Sequence, residues 1–277
     1  MNSKFKKIAL FAFCSAIAMS AALYGCAGSD VDVNKTGSLG YEKSVGNELY
    51  SYDVFSDHIV LTGYKGEEET VIIPEIIDEK TVTVISSGTF RDISGKVKSV
   101  RIPNTVTTIE IGSFTGNSLE SIEIYADNPL FEIENGALTN KDKTVLLAFP
   151  GKSDIEEFTV PDTVSVVPAG VFSGCKNLKK ITVPSSVKEI ATFAFMGSGI
   201  TQMELPEGVE RIGMGVFWNC TSLETLTLPK SLKTIDNPET TCQSCTALKT
   251  VKGYDSTDAA KIVECEGLNA KYESLGE

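Results

Sequence analysis

The chain has 277 residues, with 37 acidic and 25 basic side chains and a formal net charge of −12 at pH 7. The phosphate backbone of a nucleic acid would repel so acidic a protein, so we expect no nucleic-acid partner. One histidine cannot supply a catalytic triad on the repeats or complete a zinc site, and the sequence has no phosphate-binding glycine loop, so we expect neither catalysis nor a cofactor.

The first 25 residues are typical of a secretory signal. Three lysines within the first seven residues precede an apolar run, residues 8–22, which is shorter than a bilayer span. The tetrapeptide Leu23-Tyr24-Gly25-Cys26 then resembles a bacterial lipobox. We therefore predict that residues 1–25 are removed and that Cys26 is the lipid attachment site, with an uncleaved anchor or simple secretion as alternatives.

The next segment is expected to lead from the membrane to the folded domain. Residues 26–45 are small and polar without periodicity, which predicts a flexible tether and places the start of ordered structure near Glu48. Alternating apolar residues at 49–62 predict a hairpin or two short strands, and the acidic run 67–69 predicts a solvated turn rather than a metal site. We assign residues 46–84 to an N-terminal cap and first repeat, which would stop further stacking.

From residue 85 to 252 the sequence repeats every 22 or 23 residues. The positions in register are Val167, Ile190, Ile212 and Ile235; Phe172, Phe195 and Phe217; and Pro184, Pro206 and Pro229. A period this short indicates a solenoid, because one turn cannot bury its apolar residues alone. Each turn holds an alternating phrase that ends at proline, which predicts one short strand per turn and a parallel sheet along one face.

An insertion at about residues 125–154 lengthens one repeat. Apolar residues predict strands at 130–138 and 145–149, joined by a turn at 140–143. Asn140, Asp142 and Thr144 have the spacing of an ion-binding loop but lack its glycine and terminal glutamate, so we predict a solvated turn.

Five cysteines follow the predicted anchor: Cys175, Cys220, Cys242, Cys245 and Cys265. Cys175 and Cys220 share one repeat position, where Ser198 stands in the repeat between them, and this favours small buried thiols. Cys242 and Cys245 take the Phe and Cys positions of the last repeat. Their C-x-x-C spacing also permits a structural disulfide involving Cys220, Cys242, Cys245 or Cys265, or a redox pair.

Residues 253–277 are expected to form a C-terminal cap. Ser256 is a good N-cap for a helix that would end at Gly267, and residues 269–275 suit a closing strand.

The strands leave outward side chains that form a polar ladder, our candidate binding surface. Its residues are Arg101, Glu123, Thr159, Lys180, Thr182, Gln202, Glu204, Thr225, Thr227 and Lys252. The ladder has no aromatic stripe for stacking sugars and suits a protein contact better. Trp218 is expected on the opposite edge, where it would either shield the core or anchor an interface.

The repeat phrase of 167–190 and 212–235 resembles the BspA-like leucine-rich-repeat family of bacterial surface proteins. The resemblance implies a strand-dominated repeat solenoid of the α/β type, right-handed, with parallel strands on the concave face, an N-terminal strand cap and a C-terminal helical cap. It implies no catalytic residue and no cofactor. Together with Cys26 it implies a lipid-anchored protein outside the cell that adheres to a protein of the host matrix or of another cell. An envelope scaffold for a partner of the same cell, or capture of glycan or peptide, are the alternatives.

Overall fold

A computed structural model of the chain describes residues 40–277, except residues 92, 94, 117 and 266. The predicted signal, Cys26 and the tether up to residue 39 lie outside this part of the chain. Within the described residues the chain forms a strand-dominated solenoid of about nine turns. No helix in this part is long and apolar enough to span a bilayer.

The N-terminal region is built from six strands. They are β1 (Tyr41–Gly46), β2 (Tyr50–Phe55), β3 (His58–Tyr64), β4 (Thr70–Ile72), β5 (Ile76–Ile77) and β6 (Lys80–Ile85). The antiparallel hairpin of β2 and β3 confirms the prediction for residues 49–62, and its alternating residues are buried because one face packs on the core. Strand β3 then pairs in parallel with β6, so the hairpin joins the solenoid directly.

Strand β1 shows that the prediction of order beginning near Glu48 is wrong. Its residues are nearly all exposed, and they carry no apolar alternation that would mark a strand. The segment is extended because its backbone pairs antiparallel with β2, and because Glu42 forms an ion pair with Lys80 at 2.8 Å. Pairing with a neighbouring strand therefore decides the structure of this segment.

The repeats follow, and each turn contributes a strand of three or four residues and most also a strand of two. The bounds are β7 (Ser99–Ile102), β8 (Thr108–Ile109), β9 (Ser121–Ile124), β13 (Glu157–Thr159), β14 (Val166–Val167), β15 (Lys180–Thr182), β16 (Glu189–Ile190), β17 (Gln202–Glu204), β18 (Arg211–Ile212), β19 (Thr225–Thr227), β20 (Thr234–Ile235) and β21 (Thr250–Gly253), with helix α1 (Pro238–Thr241) after β20. The two-residue strands of the later repeats stack as β14-β16-β18-β20. Proline follows most of the longer strands within two residues, though not β9 or β21, and it limits their length because it cannot donate to a ladder.

The longer strands do not form the single sheet that the sequence predicts. They stack in parallel as β4-β7-β9, then β13-β15, then β17-β19-β21 with a last strand, β22 (Lys271–Ser274). The first break falls at the insertion, which interrupts the stacking of consecutive turns.

The interior consists of columns of identical residue types from successive turns. Phe172, Phe195 and Phe217 are fully buried, and their rings stack at centroid distances of 5.5 Å. Val167, Ile190 and Ile212 are likewise at 0% exposure. The predicted register of the repeats is therefore the register of the core.

The insertion contains three strands where two were predicted. They are β10 (Phe131–Glu134), β11 (Ala137–Asn140) and β12 (Leu146–Ala148), paired antiparallel in that order. Asn135 and Gly136 have positive φ angles of 49° and 87°, and they turn the first predicted strand back on itself. Strand β11 separates two hydrophobic clusters, because Leu138 packs in the N-terminal one and Ala137 in the C-terminal one.

The C-terminal segment holds a helix and a strand, as predicted, but the helix is of the 3₁₀ type and spans Asp258–Glu264. Its buried residues, Ala259 and Ile262, are three positions apart, which fits three residues per turn. Thr257 caps it in place of Ser256, since the Thr257 hydroxyl accepts from the Ala259 N–H. Strand β22 pairs in parallel with β21 and ends the stack.

Candidate functional site

The predicted ladder residues all lie on the longer strands, and we call their outward surface the ladder face. Arg101 and Glu123 belong to the β4-β7-β9 sheet; Thr159, Lys180 and Thr182 to β13-β15; and Gln202, Glu204, Thr225, Thr227 and Lys252 to β17-β19-β21-β22. Each strand buries its central residue and turns its neighbours outward. The structure thus brings these residues to one kind of position but divides them among three sheets.

All three cations of the ladder are already paired with carboxylates. Arg101 donates from Nη2 and Nε to Glu123 Oε2 at 2.7 and 3.0 Å, across two turns in register. Lys180 lies 3.8 Å from Glu157, and Lys252 lies 3.6 Å from Glu273. Exposed pairs of this kind add little stability, but they neutralise charge that a ligand would otherwise meet.

The other ladder residues apart from Glu123 are not engaged in side-chain contacts of this kind among the described residues. Gln202 and Glu204 have no side-chain hydrogen bond or ion pair within the described residues, and the same holds for the ladder threonines. Register places Glu204 beside Thr227 and Gln202 beside Thr225. These turns therefore offer an amide, a carboxylate and hydroxyls side by side, which suits hydrogen bonding to another protein.

The N-terminal end of the ladder face is more apolar than the sequence analysis recognised. Ile72 of β4 is 55% exposed and lies in register with Arg101. The exposed ring of Tyr125 lies next to the same arginine, whose Cζ is 5.9 Å from the ring centroid. Ile72 occupies an outward strand position of the first repeat, and that position was the signal that could have found it.

A second surface feature is an aromatic pair between two turns. Phe193 has a φ of 58° at a position where Gly88, Gly112, Gly170 and Gly215 stand in other repeats, all with positive φ. Its ring packs 5.9 Å from Trp218, and both side chains are half-buried. Gly215 makes room for this pair, because a Cβ there would lie 2.4 Å from Phe193 Cε1 and 3.3 Å from Trp218 Cε3.

This arrangement supports the core-shielding interpretation of Trp218, since the ring contacts a neighbouring turn. The left-handed conformation costs a non-glycine residue roughly 1–2 kcal/mol. The sequence contains the signal for Phe193, which stands three residues after Ile190 where the next repeat has Gly215 three residues after Ile212.

The repeat architecture agrees with a comparison to family models. Residues 68–151 and 146–261 match the BspA type leucine rich repeat region, in six copies. The chain belongs to the BspA-type leucine-rich-repeat family. This match confirms the family resemblance that the repeat phrase indicated.

Solved structures include relatives of the same architecture. A leucine-rich repeat protein from Eubacterium ventriosum is 31% identical, with a TM-score of 0.57, and the match covers 74% of this chain but only 55% of that one. The pneumococcal vaccine antigen PcpA is 16% identical with a TM-score of 0.52, over 79% of this chain and 83% of the antigen, and this likeness shows the fold alone. No curated protein matches the chain.

The cysteines of the BspA-type repeats are buried and unpaired by disulfides in the described residues. Cys220 and Cys245 take equivalent places, since each Sγ donates to the carbonyl of the preceding repeat phenylalanine, Phe195 at 3.0 Å and Phe217 at 2.9 Å. Ser198 stands in the same column and contacts Cys220 Sγ at 3.5 Å.

The pKa is raised for two of these thiols, Cys175 and Cys220. Burial raises the pKa of the Cys175 thiol to about 12, and contact with the Cys245 thiol together with burial raises that of Cys220. Cys242 and Cys245, the C-x-x-C pair, are 0% and 1% exposed and form no disulfide. Because a redox pair must be accessible to its partner, the structure favours the buried-thiol interpretation.

Asn140 and Thr144, which have the spacing of an ion-binding loop, form hydrogen bonds within their own turn. Asn140 Oδ1 accepts from the Val145 N–H, and its Nδ2 donates to Thr144 Oγ1, both at 2.8 Å. Among the described residues no group of three or more His, Cys, Asp or Glu side chains is placed to hold a metal ion. The side-chain amide of Asn140 therefore stabilises the turn.

Proposed function

We propose that the protein is a non-catalytic binding module at the bacterial cell surface that holds a protein partner. The observation that carries the proposal is the register of uncommitted groups on β17 and β19, where Gln202, Glu204, Thr225 and Thr227 are presented together. A rigid array of this kind supplies hydrogen bonds without first breaking internal ones.

The absence of a reaction is part of the proposal. The one histidine of the chain, His58, is stacked on Phe55 at 4.6 Å and bonded to Asp57 at 2.7 Å, on the N-terminal hairpin. Buried thiols cannot serve as nucleophiles. Membership of a repeat family that no catalytic residue defines supports the same conclusion.

We assign a right-handed solenoid with the ladder face on its concave side, closed by β1–β3 and by the 3₁₀ helix with β22. Two observations support the caps: Tyr50 and Tyr52 of β2 are buried against the first turns, and Ala259 and Ile262 against the last.

The proposed location is the outer surface, with lipidated Cys26 as anchor. The lipobox-like residues support it, and so does membership of the BspA-type leucine-rich-repeat family. A protein of the host matrix or of another cell is the expected partner.

The test measures binding of the full chain to immobilised matrix proteins and to intact host cells. We expect saturable binding that Glu204→Lys weakens at least tenfold, because the substitution reverses an unpaired charge on the ladder face. Asp162→Lys is the matched control, since it makes the same charge change at an exposed site between the strands of its turn.

Equal weakening by both variants, or by neither, would remove the ladder face from the proposal. Recovery of proteins from the same cell envelope only would favour the scaffold alternative instead.

A further inference from the structure

The first strand of the ladder face, β4, has one paired edge and one open edge. In the described part of the chain it pairs with β7 alone, on the side of the following turns. The N-terminal hairpin does not cover the other side, because β3 stacks on β6, which lies in the other sheet of the first turn. Among the residues that the structure describes, no strand therefore pairs with β4 on that side.

The open edge exposes specific backbone groups. Toward β7, the Glu69 carbonyl accepts from the Ser99 N–H at 3.1 Å and the Ile73 N–H donates to the Arg101 carbonyl at 3.1 Å. Alternate residues of a parallel strand bond to opposite sides, so the N–H and C=O groups of Thr70 and Ile72 point away from β7. These groups are available to another strand.

The two ends of the parallel stack are protected very differently. At the C-terminal end β22 presents Lys271 and Glu273, and charged residues of this kind discourage strand addition. At the N-terminal end β4 presents Thr70 and the 55% exposed Ile72. Of these two ends, as the structure describes them, the N-terminal one combines unpaired backbone groups with an exposed apolar side chain.

The charges around β4 select the kind of strand that fits. Residues 67–79 contain six acidic and no basic side chains, and two of the six, Glu67 and Glu69, form ion pairs with Lys96 and Lys98. Glu69, Lys98 and Glu120 stand just before the longer strands of three successive turns, and Lys98 lies 2.6 Å from Glu69. The charges in this row of side chains alternate in sign, and the row ends at Glu69. Continuing that alternation requires a cation on the next strand. Glu68, bonded to Tyr64, and the exposed Glu75 add to the negative field.

We infer that the β4 edge is a docking site for an extended, basic segment of a partner protein, which adds to the sheet as a parallel strand. The residues at successive positions of β4 predict the sequence pattern of the segment. It should have Lys or Arg beside Glu69, Ser or Thr beside Thr70, an apolar residue in line with Val71, and another beside Ile72. This inference rests on the proposed function, because it names the partner's chemistry and its place at one end of the ladder face.

A second copy of this chain fits the edge poorly. Strand β22 in the same register would place Ala270 beside Glu69 and Glu273 beside Ile72. It would offer no cation to the acidic row and would bury a carboxylate against an isoleucine. A foreign basic segment is the better match.

The probe is the acetylated and amidated peptide Gly-Lys-Thr-Val-Ile-Val-Lys-Gly, added to the full chain, with binding followed by hydrogen–deuterium exchange. We expect amide exchange in the segment containing Thr70 and Ile72 to slow at least tenfold at saturation. A peptide methylated on the alternate backbone nitrogens that would bond β4 should give no protection. A peptide with Glu in place of Lys should bind at least tenfold more weakly.

Two variants locate the site. Ile72→Lys places a charge on the open edge and should weaken peptide binding at least tenfold. Ile76→Lys makes the same change at a site that is also exposed, at 62%, but lies on β5, and it should bind as the unmodified chain does. Both residues are on the surface, and unchanged melting temperatures would show that neither variant is unfolded.

Protection at β22, equal weakening by the two variants, or full binding of the methylated peptide would overturn the inference. Self-association that Ile72→Lys abolishes would show that a second copy of the chain binds the edge. That result would overturn the proposal that a segment of another protein binds there. Failure of the peptide to bind would refute the docking site at the β4 edge but not the proposed function. The comparison of Glu204→Lys with Asp162→Lys tests the proposed function separately.

Discussion

Replacement of Phe193 by glycine and by alanine separates the two roles of this side chain. Its backbone is left-handed, with φ of 58°, and its ring fills the space above Gly215 beside Trp218. Both substitutions remove the ring, but only glycine adopts the left-handed conformation without strain. The difference in free energy of unfolding between the two variants therefore measures the backbone strain. The stability that both lose relative to the natural chain measures the contribution of the ring.

The magnitudes follow from burial and conformation. A phenylalanine that buries half of about 150–250 Å² loses roughly 2–3 kcal/mol when truncated, and the aromatic pair adds about 0.5–1.5 kcal/mol. Glycine recovers about 1–2 kcal/mol of strain but loses about 0.5–1 kcal/mol through its freer unfolded chain. We expect both variants to be less stable than the natural chain, with Phe193→Gly about 0.5–1 kcal/mol more stable than Phe193→Ala.

Urea unfolding of the three proteins measures this order, with circular dichroism for the strands and the fluorescence of the single tryptophan, Trp218, for the local turn. Gly174→Ala calibrates the strain, because Gly174 also has a positive φ, of 78°, and an added Cβ there meets no atom within 4 Å. It should lower the free energy of unfolding by about 1 kcal/mol.

An alanine variant at 193 that equals or exceeds the glycine variant in stability would refute the reasoning. That result would mean that residue 193 does not require a left-handed backbone, and the strain assigned to it would not exist.

Three further outcomes follow from contacts between turns. Gly215→Ala should destabilise the chain more than Gly174→Ala does, and a double-mutant cycle should show the excess vanish in the Phe193→Gly background, where the ring that the new Cβ meets is gone; an unchanged excess would contradict the contact. Glu207 accepts two backbone N–H groups of the next turn, and these bonds lower its pKa. The natural chain should therefore melt higher than Glu207→Gln above about pH 4.5, with the gap closing as pH falls through the lowered pKa, and a gap that widens in acid would be the contrary result. The five cysteines of the described residues should react with a thiol reagent only after unfolding, and rapid labelling of the native chain would show that they are not buried.

The core could be predicted from the sequence because period and alternation act together. A spacing of 22 or 23 residues aligned Phe172, Phe195 and Phe217, and all three are fully buried. Another register of the turns would expose these rings to water, so the repeat pattern determines how the turns stack. The ion pair of Arg101 and Glu123 could have been found in the same way, since the two residues are 22 positions apart at one repeat position.

Other features depend on contacts that no local pattern contains. Strand β1 exists through its partner β2, and its own residues are polar and exposed. The open edge of β4 follows from where β3 docks, which the sequence does not state. The turn at Asn135 and Gly136 is different, since Asn-Gly is a strong hairpin signal and could have been predicted from the sequence.

The division of the hydrophobic interior at β11 has a consequence for how the protein comes apart. Leu138 and Ala137, adjacent in the chain, belong to separate clusters, so few side chains connect the first turns with the later ones. Repeat arrays unfold in segments where coupling between neighbours is weak. A protease that digests the opened C-terminal turns would leave a shorter folded protein, and that fragment would retain β4 and its open edge.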